Sequence, residues 1–237
     1  MSKDVNARLA DTFGGGQQIG LNIEGQRVLV QPSANDYTSS EGGSFEQSDA
    51  SIIVTLDDVF YRVKPQGSEY GAITKRLQQA GPTICTPTEF SNHVKCGGTW
   101  VGAVYEPSDS GWGNFIGQRL FGLDFDNATS RNGAKSPLSV GDEGYLDPVD
   151  ALDRCEKLGF SPMLLYFTYS ARCPDWPRFR LVFDIGEMVE EEMAKKILRA
   201  FLKAFPEADQ ACKNPNRLYL GSNGEVWECW RVFGDAA

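Results

Sequence analysis

The sequence predicts a mixed α/β fold, because strand-like alternation and helix-like periodicity occur in separate segments of the chain. Over residues 121–126, apolar side chains alternate with glycine and aspartate, which is the two-residue period of a strand with one buried face. Residues 162–169 and 178–185 are apolar runs on either side of a polar loop, a pattern typical of an antiparallel hairpin. Over residues 187–205, apolar side chains recur at helical spacing, which indicates a helix with one core-facing side.

The N-terminal half supplies further strands and one helix. Short apolar runs predict strands at 27–30, 51–56 and 99–105, and the apolar spacing before Gly81-Pro82 predicts a helix over 72–80. The glycine triplet at 14–16 is followed by no Gly-Lys-Ser/Thr motif, and we interpret it, like the polar stretch 36–48, as a loop.

A second helix in the C-terminal half has clear signals at both ends. Asp147 is a suitable N-cap, Pro148 suits the first helical position, and Asp150 places an acid in the first turn. Gly159 then ends the helix.

Composition indicates a reduced, globular protein built as one large domain or two closely packed lobes. The net charge of −9 argues against nonspecific binding of nucleic acid over the whole surface, so any such contact must be local. Six cysteines without regular spacing favour free thiols or a metal site over a disulfide framework. The chain contains neither a signal-peptide pattern nor a long apolar run, and we expect a cytoplasmic location without a membrane partner.

Asp124 and Asp126 are the central candidate residues. They share one face of the predicted strand, close enough for both carboxylates to bind one divalent cation or a pair of cations. The alternative is a strand that ends in a solvated Asp-Asn turn, and the Asp-x-Asp pattern alone does not decide between them.

Cys85, His93 and Cys96 form a second candidate group, which includes the only histidine of the chain. Two thiolates and an imidazole can bind a structural Zn²⁺, but the spacing lacks a Cys-x-x-Cys pair and a local fourth ligand. We therefore prefer ordinary loop residues and expect this segment not to be required for catalysis.

The predicted hairpin brings polar and basic residues to one of its ends, namely Ser170, Arg172, Arg178 and Arg180. Arginine binds phosphate groups bidentately, which favours an anion site. A solvated hairpin tip is the alternative.

Taken in order, Asp124-x-Asp126, the hairpin with Ser170 and Arg180, and Asp209 followed by Asn216-Arg217-Leu218-Tyr219 resemble the archaeo-eukaryotic primase superfamily. The similarity is greatest to the primase-polymerase domains of plasmids, phages and integrated elements. It implies a single catalytic domain over 1–237, with an α/β lobe at about 1–98 packed on a C-terminal lobe at about 99–237. The second lobe would contain an antiparallel sheet like that of an RNA-recognition motif, and the active site would lie in the cleft between the lobes.

The resemblance also implies roles for individual residues. Asp124, Asp126 and Asp209 would be the catalytic metal ligands for Mg²⁺ or Mn²⁺ in a two-metal site. The nucleotide-binding residues would be Ser170, Arg172, Arg178, Arg180 and Arg217. The family usually has Ser-x-His in the second motif, whereas this chain has no histidine there. Either Arg172 or Arg180 would take its place, and we expect Arg180 to matter more because its strand neighbours fix its direction.

The implied function is that of a DNA primase-polymerase, which transfers nucleotides from NTPs or dNTPs onto a primer along single-stranded DNA during replication of a mobile element. A helicase domain or protein is an expected partner. A metal-dependent nuclease and a noncatalytic nucleic-acid-binding replication module are the alternatives. Without a cation, three converging carboxylates should repel one another and raise their pKa values, and a change of any one to asparagine should abolish activity while leaving the protein folded.

Overall fold

The computed structural model describes residues 18–21, 27–30, 51–131, 134–222 and 225–230. Its strands are β1 (Gln18–Leu21), β2 (Arg27–Val30), β3 (Ile52–Phe60), β4 (Thr83–Cys85), β5 (Gly98–Val101), β6 (Ala103–Tyr105), β7 (Phe115–Phe125), β8 (Ala128–Arg131), β9 (Ala134–Pro137), β10 (Pro162–Phe167), β11 (Phe179–Val189), β12 (Leu218–Tyr219) and β13 (Val226–Glu228). Its helices are α1 (Ser68–Gln79), α2 (Pro87–Lys95), α3 (Pro148–Leu158) and α4 (Glu191–Ala204), and Gln210–Lys213 forms a 3-10 helix. The segments at 14–16 and 36–48 lie outside the described residues.

Two antiparallel sheets of five and four strands occur together with four helices in the described residues, which confirms the mixed α/β class. The larger sheet has the order β13-β10-β11-β7-β6, and the smaller has the order β12-β5-β3-β4. Two separate hairpins, β1-β2 and β8-β9, complete the strand pairing. Since β5 and β12 join the smaller sheet with β3 and β4, strands from both ends of the described chain share it. The lobe boundary near residue 98 stays a prediction.

One face of the larger sheet forms an aromatic core with α4. Phe125 of β7 stacks on Phe179 of β11 with 4.6 Å between ring centroids, and Phe183 stacks on Phe201 of α4 at 4.4 Å. These side chains alternate along their strands, so the opposite face of β7 and β11 carries the charged residues.

That opposite face lies against the smaller sheet. The indole Nε1 of Trp100 on β5 donates to the hydroxyl of Tyr166 on β10 at 3.0 Å. Trp100 also stacks on Tyr219 of β12, with 4.6 Å between ring centroids. The charged residues of the larger sheet therefore lie beside β12 and the segments that flank it.

Several predicted elements are confirmed by their own end signals. The Asp147 side chain accepts a hydrogen bond from the Val149 amide at 2.8 Å at the start of α3, and Gly159 ends the helix at φ 71°. Helix α1 ends before Gly81-Pro82, and β10 pairs with β11 as the predicted hairpin.

Two predictions were wrong in their boundaries. The helix expected from residue 187 begins at Glu191, because β11 continues until Val189 pairs with Gln118 of β7. The strand expected over 99–105 is split at Gly102 into β5 and β6, which join different sheets. A Cβ at Gly102 would lie 2.1 Å from the Leu120 carbonyl oxygen, so the split depends on this close approach of backbone.

Among the described residues, no helix is both long enough and apolar enough to cross a lipid bilayer.

Candidate functional site

Strand β7 carries the two aspartates of the central motif on its polar face. Asp124 is 9% exposed, and Asp126 follows two residues later. Gly122 precedes them because the Tyr219 ring packs directly on the strand, where a Cβ on Gly122 would lie 2.7 Å from Tyr219 Cζ. The Tyr219 hydroxyl donates to the Gly122 carbonyl oxygen at 2.6 Å, which holds β12 beside the aspartates.

Asp124 forms a buried ion pair with Arg180, its register partner on β11. Arg180 Nη2 lies 3.0 Å from each carboxylate oxygen, and Nε lies 3.2 Å from Oδ1. Nη1 donates to the Tyr166 hydroxyl and to the Leu220 carbonyl oxygen, both at 2.6 Å. Because every guanidinium nitrogen has a protein partner, Arg180 neutralises Asp124 and fixes its orientation.

Asp209 reaches the same place from a distant part of the chain. Its backbone amide donates to the Asp124 carbonyl oxygen at 2.8 Å. Its side chain caps the 3-10 helix by accepting from the Ala211 amide at 2.9 Å. Arg217 Nη2 bridges the two carboxylates, 3.1 Å from Asp124 Oδ2 and 2.7 Å from Asp209 Oδ2. The structure therefore brings Asp124 and Asp209 together.

Asp126 contacts a different pair of bases. Arg178 donates to its Oδ1 through Nε at 2.9 Å and also through Nη2, and Lys135 of β9 donates to Oδ2. Trp176 Nε1 donates to the Asp126 carbonyl oxygen at 2.8 Å, and the Arg178 guanidinium lies 5.3 Å from the centroid of the Trp176 ring. The loop of the β10-β11 hairpin thereby encloses the second aspartate.

The charge of Asp126 does act to raise the pKa of Asp124, but the predicted net rise in pKa was wrong for both of these aspartates. Burial by itself would raise the pKa of Asp124, but the charges of Arg180 and Arg217 lower it below its ordinary value. Burial likewise acts to raise the pKa of Asp126, and the hydrogen bonds from Lys135 and Arg178 outweigh it. Basic side chains already supply the positive charge that was expected from a cation, so both aspartates stay ionised at neutral pH.

The donor set suits a hard divalent cation by its chemistry. Carboxylate oxygens from Asp124, Asp126 and Asp209 are ligands that Mg²⁺ and Mn²⁺ prefer. In the described part of the chain, however, no three or more His, Cys, Asp or Glu side chains are grouped so as to hold a metal ion. Asp124 and Asp209 share one nitrogen of Arg217, whereas Asp126 faces Arg178 and Lys135, so convergence of all three on one cation stays a prediction.

The remaining predicted nucleotide-binding residues differ in position. Lys64 Nζ lies 3.3 Å from Ser170 Oγ, and burial followed by the charge of Arg178 lowers the pKa of Lys64. Arg172 lies on the hairpin loop, where its backbone pairs with that of Trp176. The roles of Arg172 and Arg180 towards a nucleotide stay predictions, but Arg180 already directs all its donors to protein oxygens.

The three candidate zinc ligands occupy separate local environments. Cys85 is buried in β4, and burial raises the pKa of its thiol to about 11. His93 of α2 has Nε2 3.1 Å from the Thr99 carbonyl oxygen, and burial lowers the pKa of its imidazole. Cys96 is exposed at the end of α2. The histidine thus has a structural partner of its own.

The sequence assigned no role to four residues of the site, namely Lys64, Lys135, Tyr166 and Tyr219, although Tyr219 ends the quoted Asn216-Arg217-Leu218-Tyr219 motif. The two lysines come from a loop after β3 and from the β8-β9 hairpin, and no local pattern marks them. The tyrosines stand among apolar residues on β10 and β12, so the sequence suggests core positions and does not show the hydrogen bonds of their hydroxyl groups. Helix α1 also approaches the site, since the charges of Arg180 and Asp124 act on the pKa of Tyr70, which burial raises.

Comparison with protein-family models, with curated proteins and with solved structures found no match for this chain. The side chains of the site are therefore the basis for inferring a function.

Proposed function

We propose that this chain is the catalytic domain of a DNA primase-polymerase, with its active site at the cluster of Asp124, Asp126 and Asp209. One observation carries the proposal: three aspartates from two distant segments lie among five basic side chains, namely Lys64, Lys135, Arg178, Arg180 and Arg217. Acids suit a divalent cation and bases suit a phosphate chain, so a site containing both suits a nucleoside triphosphate bound with its cation.

The surplus of bases favours nucleotidyl transfer over phosphodiester hydrolysis. A metal-dependent nuclease needs carboxylates for its cations, but it has no triphosphate tail to neutralise. Here Arg178 and Arg217 lie beside the aspartates and are partly exposed, with 12% and 20% of their side chains accessible. They are suited to bind the β and γ phosphates.

In this proposal Asp124, Asp126 and Asp209 would hold Mg²⁺ or Mn²⁺, whose chemistry when bound is activation of a 3′ hydroxyl and stabilisation of leaving pyrophosphate. Arg180 keeps Asp124 ionised and oriented, and its own position is fixed by a hydrogen bond to the Tyr166 hydroxyl. Tyr219 holds the Arg217 segment against β7. The larger sheet would correspond to the antiparallel sheet of an RNA-recognition motif, and the template, single-stranded DNA, would enter a cleft between two lobes. A helicase would act on the same DNA.

Primer synthesis tests the proposal. Purified protein is incubated with single-stranded DNA, labelled dNTPs or NTPs, and either Mg²⁺ or Mn²⁺. We expect template-dependent products and release of pyrophosphate, both absent in Asp209→Asn. Cleavage of the DNA without incorporation would instead support a nuclease.

The full pairing of the aspartates with bases favours a second candidate, a noncatalytic nucleic-acid-binding replication module. Binding to single-stranded DNA with no incorporation under either metal would support this candidate and overturn the first.

A further inference from the structure

All six carboxylate oxygens of the cluster already accept hydrogen bonds from the protein. Arg180 and Arg217 donate to Asp124, Arg178 and Lys135 donate to Asp126, and Arg217 and the Ala211 amide donate to Asp209. A divalent cation arriving by itself would have to approach these positive groups at close range. Binding of the bare cation is therefore opposed by the side chains that surround its ligands.

A phosphate chain arriving by itself meets the complementary obstacle. Arg178, Arg217 and Lys135 are each paired with an aspartate, and moving them to an anion would leave partly buried carboxylates without these partners. Removing one partner from such an ion pair is unfavourable, because the remaining charge loses its counter-charge where water reaches it only in part. Neither component of a cation–phosphate complex has a favourable site before the other arrives.

The basic residues differ in their freedom to move. Arg180 is 5% exposed, and its nitrogens are divided among Asp124, Tyr166 and the Leu220 carbonyl. Arg217 is 20% exposed in its side chain and has a buried Nε for which the described residues supply no hydrogen-bond partner. Lys135 is half exposed. A buried donor without an acceptor is rare in folded proteins and would be satisfied by an added anion.

The formal charges of the cluster also favour a triphosphate with one bound divalent cation as the ligand. Five basic and three acidic side chains leave the cluster with a surplus of two positive charges. A triphosphate with one bound divalent cation keeps about two negative charges, which this surplus matches.

We propose that Arg217, Arg178 and Lys135 hold the aspartates when the site is empty and transfer to the phosphate chain when it enters with a divalent cation. The cation and the triphosphate thus bind as one complex, and each strengthens the binding of the other. Arg180 does not move and keeps Asp124 in place throughout. This inference rests on the proposed function, since it names the form in which the substrate enters that same site.

Titration calorimetry and thermal unfolding test this exchange, in which basic side chains transfer from the aspartates to the phosphate chain. Neither measurement requires catalysis. The full chain is titrated with Mn²⁺ alone, with a nonhydrolysable dATP analogue alone, and with each in the presence of the other. We expect at least about tenfold tighter Mn²⁺ binding when the analogue is present, and the same factor for the analogue when Mn²⁺ is present, as thermodynamic reciprocity requires. The melting temperature should rise clearly only with both.

Arg217→Gln separates the exchange from ordinary charge effects. Removing the bridge between Asp124 and Asp209 should tighten binding of Mn²⁺ alone, weaken binding of the analogue and reduce the coupling. Arg199→Gln is the matched control. It makes the same charge change at an exposed position on α4, across the larger sheet from the site. It should change neither the affinity for Mn²⁺, nor the affinity for the analogue, nor the coupling between them. If Arg217→Gln does not fold, Lys135→Gln at the half-exposed partner of Asp126 should change binding in the same directions.

Equal affinity for Mn²⁺ with and without the analogue would overturn the exchange. The proposed function would survive that result if primers are still made. Conversely, absence of primer synthesis together with clear coupling would overturn the polymerase activity and leave the exchange supported.

Discussion

Two buried aspartates, one from each sheet, form similar ion pairs but lie in different surroundings. Asp57 of β3 is 1% exposed and is bound by Arg76 through Nε at 2.6 Å and Nη2 at 2.8 Å, while Nη2 also donates to the Tyr61 hydroxyl at 2.9 Å. Asp124 of β7 is bound in a similar way through Nε and Nη2 of Arg180, while Nη1 donates to the hydroxyl of Tyr166. In both, one arginine neutralises an aspartate and a tyrosine hydroxyl takes a further donor.

The two ion pairs differ in the number of other charged side chains around them. Beyond Asp57, Asp58 is the only ion-pair partner of Arg76 among the described residues, 3.8 Å away and 88% exposed in its side chain. Around Arg180 there are two more aspartates and four more bases, of which Lys64, Lys135, Asp209 and Arg217 come from other segments. An isolated pair is sufficient for neutralising a buried charge, whereas an excess of charges gathered from several segments is costly to assemble and indicates a ligand site.

The change with the largest expected effect is Asp124→Asn. It leaves the buried guanidinium of Arg180 without a counter-charge, so the free energy of unfolding should fall by about 3–5 kcal/mol in urea denaturation. Primer synthesis should fall by more than about 100-fold, on the order of losing one essential electrostatic group.

The double variant Asp124→Asn with Arg180→Met is the control for this change. Replacing the unpaired charge with an apolar side chain should recover part of the lost stability without restoring activity. A loss below about 1 kcal/mol in the single variant, the range of an exposed pair, would contradict the buried pairing.

Asp57→Asn should be milder, because the Arg76 side chain is 30% exposed and can turn towards water. We expect a loss of about 1–2 kcal/mol in the free energy of unfolding, measured by the same denaturation. Primer synthesis per folded molecule should not change. A large loss of activity here would show that the two pairs are not functionally different.

Asp209→Asn should separate activity from stability. Asparagine caps a helix about as well as aspartate, so the hydrogen bond to the Ala211 amide is kept and the free energy of unfolding should change by less than about 1 kcal/mol. Primer synthesis should nevertheless be lost as in Asp124→Asn. Retained synthesis in a folded Asp209→Asn protein would remove Asp209 from the site.

The smallest effect concerns pH. Because Lys135 and Arg178 hold the pKa of Asp126 below its ordinary value of 3.8, its ion pairs stabilise the fold above that pH. The contribution is lost as pH falls through the lowered pKa of the folded state. As the pH is lowered from 4, the free energy of unfolding should therefore fall less in Asp126→Asn than in the wild type. An equal fall in the free energy of unfolding in both proteins would contradict the stabilising role of the Asp126 ion pairs.

Burial also changes an expectation drawn from the sequence about these variants. The sequence predicts that any of the three aspartates tolerates asparagine. The structure separates them, because Asp124 lies 12% exposed in its side chain against Arg180, while Asp209 is 33% exposed. Exposure decides how much an unpaired partner costs.

Features that depend on near neighbours along the chain could be predicted from the sequence. Alternation over 121–126 places aspartates and aromatic residues on opposite faces of β7, and Asp147, Pro148 and Gly159 set the ends of α3 through local caps. The hairpin of β10 and β11 is read in the same way, from two apolar runs and the loop between them. Each of these signals acts within a few residues, so no knowledge of the remaining fold is needed.

Which charged side chains meet could not be predicted in this way, because it depends on how distant segments pack. Arg217 bridges aspartates that are 8 and 93 positions away, and Lys64 and Lys135 come from segments with no motif. Likewise, residues 187–189 have helical periodicity, but pairing of Val189 with Gln118 keeps them in β11. Contacts between distant segments depend on sheet order and burial, which can outweigh local propensity and which a single sequence does not display.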